Sequence, residues 1–235
     1  MAVSLFTTLF PDVLPFVREC PEIVAINAIR NAAIELTKKS RCWQVDLLPI
    51  SVVAGQSDYP LDAGTDVVAL NAATGGCEIA AIMFCTYNGW PIPGKSPDEL
   101  AKIYRWFDWR SWQGDPKYYN QLETNSLFVV PQPVVSVTGF LSTTGNSLGL
   151  QPRAAFMPTR AATGMDAVQQ ERYYEGIAMG ARARLYEMSG QPFADPAAAA
   201  LFNARFQTYV NKVRIEINTG NQRNSEVVEK QGYVL

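Results

Sequence analysis

The chain of 235 residues contains no histidine. This absence excludes the Ser-His-Asp triad, the Cys-His pair, histidine-ligated zinc and the histidine general base. Cysteine is scarce as well. The four cysteines, Cys20, Cys42, Cys77 and Cys85, form neither a C-x-x-C pair nor a zinc-ribbon pattern. A chain of this size does not need disulfide bonds to hold its core, so we expect four free thiols in a reducing compartment.

Long hydrophobic runs and an excess of one charge are also missing. The apolar stretch 1–17 has no basic start and is interrupted by Pro11, Asp12 and Pro15, so we expect neither a signal peptide nor a membrane span there. Twenty basic and 22 acidic residues give a formal net charge of -2, which argues against a protein that grips phosphate backbones by bulk charge. We therefore expect a protein of the cytoplasm with no membrane partner.

The first clear element is a helix over Glu22–Lys39. Pro21 precedes it, apolar residues recur at 3-4-3 spacing, and basic residues gather at its end, where the helix dipole favours cations.

Two longer helices are predicted near the end of the chain. Asp166 is a typical N-cap for a helix that reaches Met188, and Asp195-Pro196 caps and opens another that reaches about Asn218. The short link between them favours an antiparallel hairpin.

The region between these helices is rich in β-forming residues separated by Gly, Pro, Asn and Asp. Asn88-Gly89 is a type I′ turn signal, and Ser96 with Glu99 has the capping-box pattern of a short helix that reaches about Trp109. The predicted strands are Gln44–Val53, Thr65–Leu70, Glu78–Tyr87, Tyr118–Glu123, Ser126–Val130 and Val134–Ser142.

These elements predict an α+β fold, in which a helical bundle carries an inserted β-rich domain and an extended C-terminal arm. The bundle consists of the N-terminal helix and the C-terminal antiparallel hairpin. The expected divisions are residues 1–42 and 165–218 for the helical domain, 43–164 for the β-rich domain with its short helix near 97–109, and 219–235 for the arm.

The helix that begins after Asp166 has an unusual face of small residues. Its expected core stripe consists of Tyr174, Ile177, Ala181, Leu185 and Met188. On the other side lie glycines, each of which costs roughly 1 kcal/mol relative to alanine inside a helix, so a partner must approach closely. That partner is either another part of the same chain or a neighbouring subunit. The last helix also has two apolar stripes, which favours a homo-oligomer. The candidate subunit-interface residues are Gly176, Gly180, Ala183, Phe202 and Phe206.

Several other groups carry weaker signals for a site. Asp58, Asp62 and Asp66 fit solvated loop carboxylates better than a metal or acid/base site, because no calcium-loop pattern accompanies them. The tryptophans 106, 109 and 112 favour internal packing over the stacking of sugars or bases. Basic residues on the hairpin are balanced by acidic ones, so we expect a solvated or interface surface, with brief nucleic-acid contact as the alternative.

Three segments of the chain resemble head-to-tail adaptor proteins, also called head-completion or connector proteins, of tailed bacteriophages. CPEIVAINAIRNAAIELTKKSRCWQ (Cys20–Gln44) is similar to their N-terminal helix. YYEGIAMGARARLYEMSGQPFADPAAAALFNARF (Tyr173–Phe206) is similar to their helical hairpin, and GDPKYYNQLETNSLFVVPQP (Gly114–Pro133) resembles their inserted β region.

This resemblance implies a structural protein of the virion neck, without catalytic residues or cofactors and assembled in the host cytoplasm. It implies a homo-oligomeric ring, commonly of twelve copies, that binds the portal protein, extends the DNA channel and offers a surface to a tail nozzle or other tail protein. Double-stranded DNA would pass through the lumen without sequence-specific binding, and the candidate contacts are Arg182, Arg205, Lys212 and Arg214.

The resemblance also implies that the C-terminal arm reaches the portal. Its apolar residues could become ordered on a partner, because their burial offsets the ordering cost; a frayed terminus is the alternative. The candidate portal-binding residues are Val227, Val228, Tyr233, Val234 and Leu235. An alternative function is another phage tail or neck protein, such as a nozzle-like protein with a carbohydrate-binding β region. An enzyme built on carboxylates, a Ser-Lys pair or a cysteine ranks third.

Overall fold

A computed structural model of the chain describes residues 2–61, 76–105, 108–141 and 147–219. Helices and antiparallel strands both occur in these ranges, which confirms the α+β class. The α-helices are α1 (Phe10–Val13), α2 (Glu22–Ser40), α3 (Pro97–Ile103), α4 (Ala167–Tyr186) and α5 (Pro196–Asn218). The strands are β1 (Val3–Leu5), β2 (Gln44–Asp46), β3 (Asp58–Pro60), β4 (Cys77–Tyr87), β5 (Trp90–Ile92), β6 (Tyr118–Asn120), β7 (Ser126–Val130), β8 (Phe140–Leu141), β9 (Ser147–Leu148), β10 (Leu150–Pro158) and β11 (Gly164–Asp166). Two 3-10 helices, Phe6–Leu9 and Leu14–Phe16, flank α1.

Helix α2 is the central element of the main core. It begins directly after Pro21 and ends one residue beyond the predicted Lys39, where Arg41 turns into the left-handed region with φ 55°. Helix α2 packs against α4, α5 and β10, so it joins the helices to the sheet. Its buried apolar residues are Ala25, Ala28, Ile29, Ala32, Ala33 and Leu36.

The two long helices begin at the caps that the sequence predicts. The Asp166 carboxylate accepts a hydrogen bond from the Gln169 N–H, and the Asp195 carboxylate accepts from the N–H groups of Ala197 and Ala198. These bonds satisfy backbone donors that have no partner within the helix.

The order of contacts shows that α4 and α5 run antiparallel. Gly176, early in α4, lies against Tyr209, late in α5, whereas Tyr186 at the end of α4 stacks on Phe202 near the start of α5. Helix α4 ends at Tyr186, two residues before the predicted Met188.

The largest sheet has the strand order β2-β10-β4-β5, and all neighbours in it are antiparallel. The turn between β4 and β5 has positive φ at both Asn88 (49°) and Gly89 (81°). A type I′ turn requires two positive φ values, so the predicted hairpin is confirmed.

Strand β10 lies between β2 and β4, although none of the predicted strands includes its residues. Pro152 and Pro158 belong to this strand, and proline is rare in central strands because it lacks an N–H for the ladder. The register with β4 shifts after Arg153 and again after Ala155. The chain therefore accepts a proline-containing central strand by breaking the regular ladder nearby.

Other predicted bounds need correction. Strand β2 ends at Asp46, whereas the prediction reached Val53, because the following residues make only isolated bridges. Helix α3 ends at Ile103 and not at about Trp109. Strand β6 ends at Asn120, before the predicted Glu123. The predicted strand 65–70 lies outside the described residues.

A smaller sheet has the order β3-β7-β6, and its buried residues share a second hydrophobic cluster with β4, β5 and β10 of the larger sheet. The buried Tyr59 donates its hydroxyl hydrogen to a neighbouring backbone carbonyl, that of Gln56 at 2.7 Å. A bridge between Gly94 and Tyr119 connects this sheet to the chain that leaves β5.

The main core is shared by the helices and the four-stranded sheet. Phe156 of β10 contacts Trp43 with ring centroids 5.9 Å apart, and both belong to the same buried cluster as Ile29 and Phe206 of the helices. The β region therefore contributes directly to the core that holds the hairpin in place.

Candidate assembly surfaces

The small-residue face of α4 is covered by α5 and α2 of the same chain. A Cβ on Gly176 would collide with the ring of Tyr209, and a Cβ on Gly180 would lie 2.8 Å from Phe206 Cε2 and 3.0 Å from the Ala32 Cβ. The glycines are needed because aromatic residues of α5 come this close.

This packing corrects the expectation that the small face offers surface to a neighbouring subunit. Gly176 and Gly180 are buried, Ala183 is 6% exposed and Phe206 is 1% exposed, so these residues have no free surface. Phe202 is half-buried, and its ring stacks on that of Tyr186 with centroids 5.8 Å apart and an angle of 23° between the ring planes.

The predicted core stripe of α4 is correct only in part. Ile177, Ala181 and Leu185 are fully buried, but Tyr174 is 49% exposed. Tyr173 takes its place in the core, and the backbone at this residue departs from helical geometry.

Arg182, a candidate DNA contact, is engaged inside the chain. Its guanidinium donates to the carbonyl oxygen of Asp12, with a distance of 2.9 Å from Nε, and a second bond from Nη2 reaches the same oxygen. The guanidinium carbon lies 3.7 Å from the ring centroid of Phe16. Burial lowers the pKa of Arg182. This side chain therefore fixes the N-terminal segment to α4.

The other three candidate cations lie on exposed positions of α5. Arg205, Lys212 and Arg214 have no ion-pair partner within the ranges that the structure describes. At 100° per residue, Lys212 lies within roughly 20° of Arg205, whereas Arg214 lies roughly 180° away from it. The three cannot all face the same channel.

A charged cluster ties together the three helices of the core. Glu35 of α2 accepts hydrogen bonds from Lys39 and from Arg184 of α4, and Gln207 of α5 donates to it at 3.0 Å. Burial raises the pKa of Glu35, but the Lys39 and Gln207 hydrogen bonds and the Arg184 charge outweigh it, so the net pKa is lowered.

A groove that no sequence motif indicates lies between the N-terminal segment and α4. It has a volume of about 380 Å³, and Ser4, Thr8, Leu9, Asp12, Gln170, Glu171 and Tyr174 line it. The only sequence feature related to this groove is the apolar stretch 1–17, and its pattern does not indicate which helix it packs against.

Gln170 forms the buried part of this groove and is 3% exposed. Its amide nitrogen donates to the Leu5 carbonyl oxygen at 3.1 Å and to Thr8 Oγ1 at 2.6 Å, whereas its Oε1 has no partner among the described residues. The groove thus combines an unsatisfied acceptor with the carboxylates of Asp12 and Glu171, and neither carboxylate has an ion-pair partner in those ranges. Its chemistry suits a cation.

Trp109 packs internally rather than forming a stacking platform. It is 9% exposed, meets Phe128 edge to face with centroids 5.5 Å apart, and lies under the guanidinium of Arg110. Trp106 lies outside the described residues, as do Asp62 and Asp66 and the arm residues Val227, Val228, Tyr233, Val234 and Leu235.

All four cysteines are free thiols in the structure. Burial raises the pKa of Cys42 to about 11 and that of Cys77 and Cys85 to about 12. Within the described ranges, no three acidic or cysteine side chains gather as a metal site would require. No helix in the same ranges is both long enough and apolar enough to cross a membrane.

Comparison with protein families matches the SU10 adaptor protein family over residues 6–229. The chain belongs to the SU10 adaptor protein family. The match begins at the first 3-10 helix and extends beyond α5, so it includes the helices, both larger sheets and most of the arm. Membership in this adaptor family agrees with the resemblance to phage head-to-tail adaptors and makes the chain a structural component of a virion. A search of curated proteins found no match.

Proposed function

We propose that this adaptor forms a homo-oligomeric ring under the portal of a phage head, extends the DNA channel and provides the surface to which the tail attaches. The observation that carries the proposal is the family match over residues 6–229. We infer twelve copies from the resemblance to connector proteins. The adaptor has no catalytic role in this proposal.

The proposal divides the work among three parts of the chain. The helical domain, residues 1–42 and 165–218, makes the ring. The β-rich domain, residues 43–164, faces the tail nozzle or another tail protein. The arm, residues 219–235, binds the portal through its apolar side chains, whose burial offsets the ordering cost.

The channel wall requires a face that does not hold DNA tightly. We assign this role to the polar edge of α5, where Asn211, Arg214 and Asn218 are exposed. Few cations mean few phosphate contacts and few released counterions, so DNA passes with weak, salt-sensitive binding.

Electron microscopy and sedimentation of the purified protein, alone and with portal, test the proposal. We expect rings on the portal vertex, and removal of residues 221–235 should weaken portal binding while the ring remains. A protein that stays monomeric in both samples would contradict the ring. Unchanged portal affinity after the deletion would remove the arm from the mechanism.

A nozzle-like or neck protein with a carbohydrate-binding β region is the second candidate. One observation favours it: Trp90, at the β4–β5 turn, is 77% exposed, and an exposed aromatic face can stack on a sugar. Tryptophan fluorescence during titration with bacterial cell-wall oligosaccharides should change for the native protein and not for Trp90→Ala. No change in either sample rejects this function.

A further inference from the structure

We propose that the last helix of one copy inserts its outward stripe into the N-terminal groove of the next copy, and that the contact pairs Arg205 and Lys212 with Asp12 and Glu171. This inference rests on the ring proposed above and names the two surfaces that would build it. The occupant of the groove is thus a second copy of this chain.

The outward stripe of α5 has the spacing of a helix-packing surface. Leu201, Arg205, Thr208, Lys212 and Ile215 follow one another at intervals of four and three residues and are all exposed. Leu201 is 49% and Ile215 is 62% exposed. At 100° per residue the centre of the stripe lies roughly 140° around the helix from the buried Phe206 and roughly 180° from the buried Val210. It therefore points away from the chain's own core.

The groove offers the complementary charge. Asp12 and Glu171 line it and have no ion-pair partner in the described ranges, as stated above. The buried Gln170 adds an acceptor, Oε1, that is also unsatisfied there. Arg205 and Lys212 bring the opposite charge to this surface. They lie about 10.5 Å apart along α5, because seven residues separate them at 1.5 Å each. Complementary charge of this kind favours one register of association over others.

The two surfaces lie on opposite flanks of the helical layer. Beyond the non-helical Tyr173, Tyr174 lies roughly 140° around α4 from Gly176 and Gly180. Tyr174 and Glu171 line the groove beside the N-terminal segment, and the two glycines face α5. A contact between opposite flanks is head-to-tail, and head-to-tail contacts close into rings when their rotation allows it.

Charge exchange tests this pairing by sedimentation velocity and mass photometry, with the native protein as reference. One variant reverses the stripe, Arg205→Glu with Lys212→Glu. A second changes the groove, Glu171→Lys with Asp12→Asn; Asp12 is neutralised because it lies beside Arg182. Each should weaken self-association by about tenfold or more, and the chain that carries all four changes should recover it. The matched control Arg214→Glu alters a cation on another face and should assemble like the native protein.

The outcomes separate the pairing from the ring itself. If both charge variants assemble like the native protein, the pairing is overturned and the ring is left in place. The same conclusion follows if Arg214→Glu loses as much assembly as the stripe variant. A fourfold variant that fails to assemble, with native circular dichroism and melting temperature, also overturns the pairing. A native protein that is monomeric with and without portal overturns both. If a reversed variant does not fold, Arg205→Gln with Lys212→Gln replaces it and should weaken assembly more than Arg214→Gln; an equal effect overturns the pairing.

Discussion

Gly180 of α4 and Phe206 of α5 lie so close that an added Cβ would be 2.8 Å from Phe206 Cε2. Phe206 is 1% exposed, and Ala32, whose Cβ would be 3.0 Å away, is fully buried, so neither neighbour can move into open space. This contact sets the separation of the two long helices.

Gly180→Ala should therefore destabilise the protein although alanine is the better helix former. Overpacking costs about 1–3 kcal/mol, which exceeds the gain of roughly 1 kcal/mol in helix propensity. Chemical denaturation would measure the change in the free energy of unfolding. In a Phe206→Leu background the cost of Gly180→Ala should shrink or reverse; the same cost in both backgrounds would contradict the steric explanation.

Arg182→Ala should release the N-terminal segment from α4. The change removes two hydrogen bonds to the Asp12 carbonyl oxygen and the guanidinium on the Phe16 ring, which together should lower the free energy of unfolding by about 1–3 kcal/mol. Hydrogen exchange over residues 10–17 should accelerate. Arg214→Ala, at an exposed arginine of α5 outside the proposed subunit contact, is the control, and equal effects of the two changes would show that Arg182 does not hold the segment.

The Glu35 cluster should make stability depend on acidic pH. The folded-state pKa of Glu35 is lowered, so its contribution is complete above the unfolded value of about 4.3 and is lost as the pH falls through the folded pKa. Because the Glu35 side chain is 25% exposed and solvent partly screens its charge, we expect only about 0.5–1 kcal/mol. Unfolding measured from pH 7 to pH 3 should show a shallower acid slope for Glu35→Gln; parallel curves would count against this role.

The four thiols should react at different rates in the folded protein. The thiolate is the reactive form, and burial raises the pKa of Cys42, Cys77 and Cys85 far above neutrality. Cys20 should therefore be alkylated first at pH 8, as peptide mapping by mass spectrometry would show. Labelling of Cys42 or Cys85 as fast as Cys20, without unfolding, would be inconsistent with the buried positions.

Local signals allowed most helix bounds to be predicted. Asp166, Asp195 and the Ser96 capping box each act through side-chain bonds within a few residues, and Pro21 acts through its restricted φ, so their effect is visible in the sequence. Strand β10 could not be predicted in the same way, because its prolines argue against a central strand and only its distant partners in β2 and β4 make it one.

The assembly surfaces also depend on distant contacts that the sequence does not reveal. The glycines of α4 correctly indicated a close neighbour, but a helical pattern does not reveal which chain supplies it. Tyr209 and Phe206 of the same chain occupy that face. Arg182 likewise resembles any surface cation in the sequence, and only the folded N-terminal segment shows that it is occupied. The groove at Gln170 joins residues far apart in the chain, which no motif connects.

The central position of β10 also governs when the chain can fold. Arg153 of β10 pairs with Asp46 of β2, 107 residues earlier in the sequence. During synthesis β2 and β4 leave the ribosome long before the strand that lies between them. Such distant pairing makes folding slow and leaves strand edges exposed in the meantime. Each subunit therefore completes its sheet late in translation, and truncated products that end before residue 150 should be prone to aggregate rather than to join a particle.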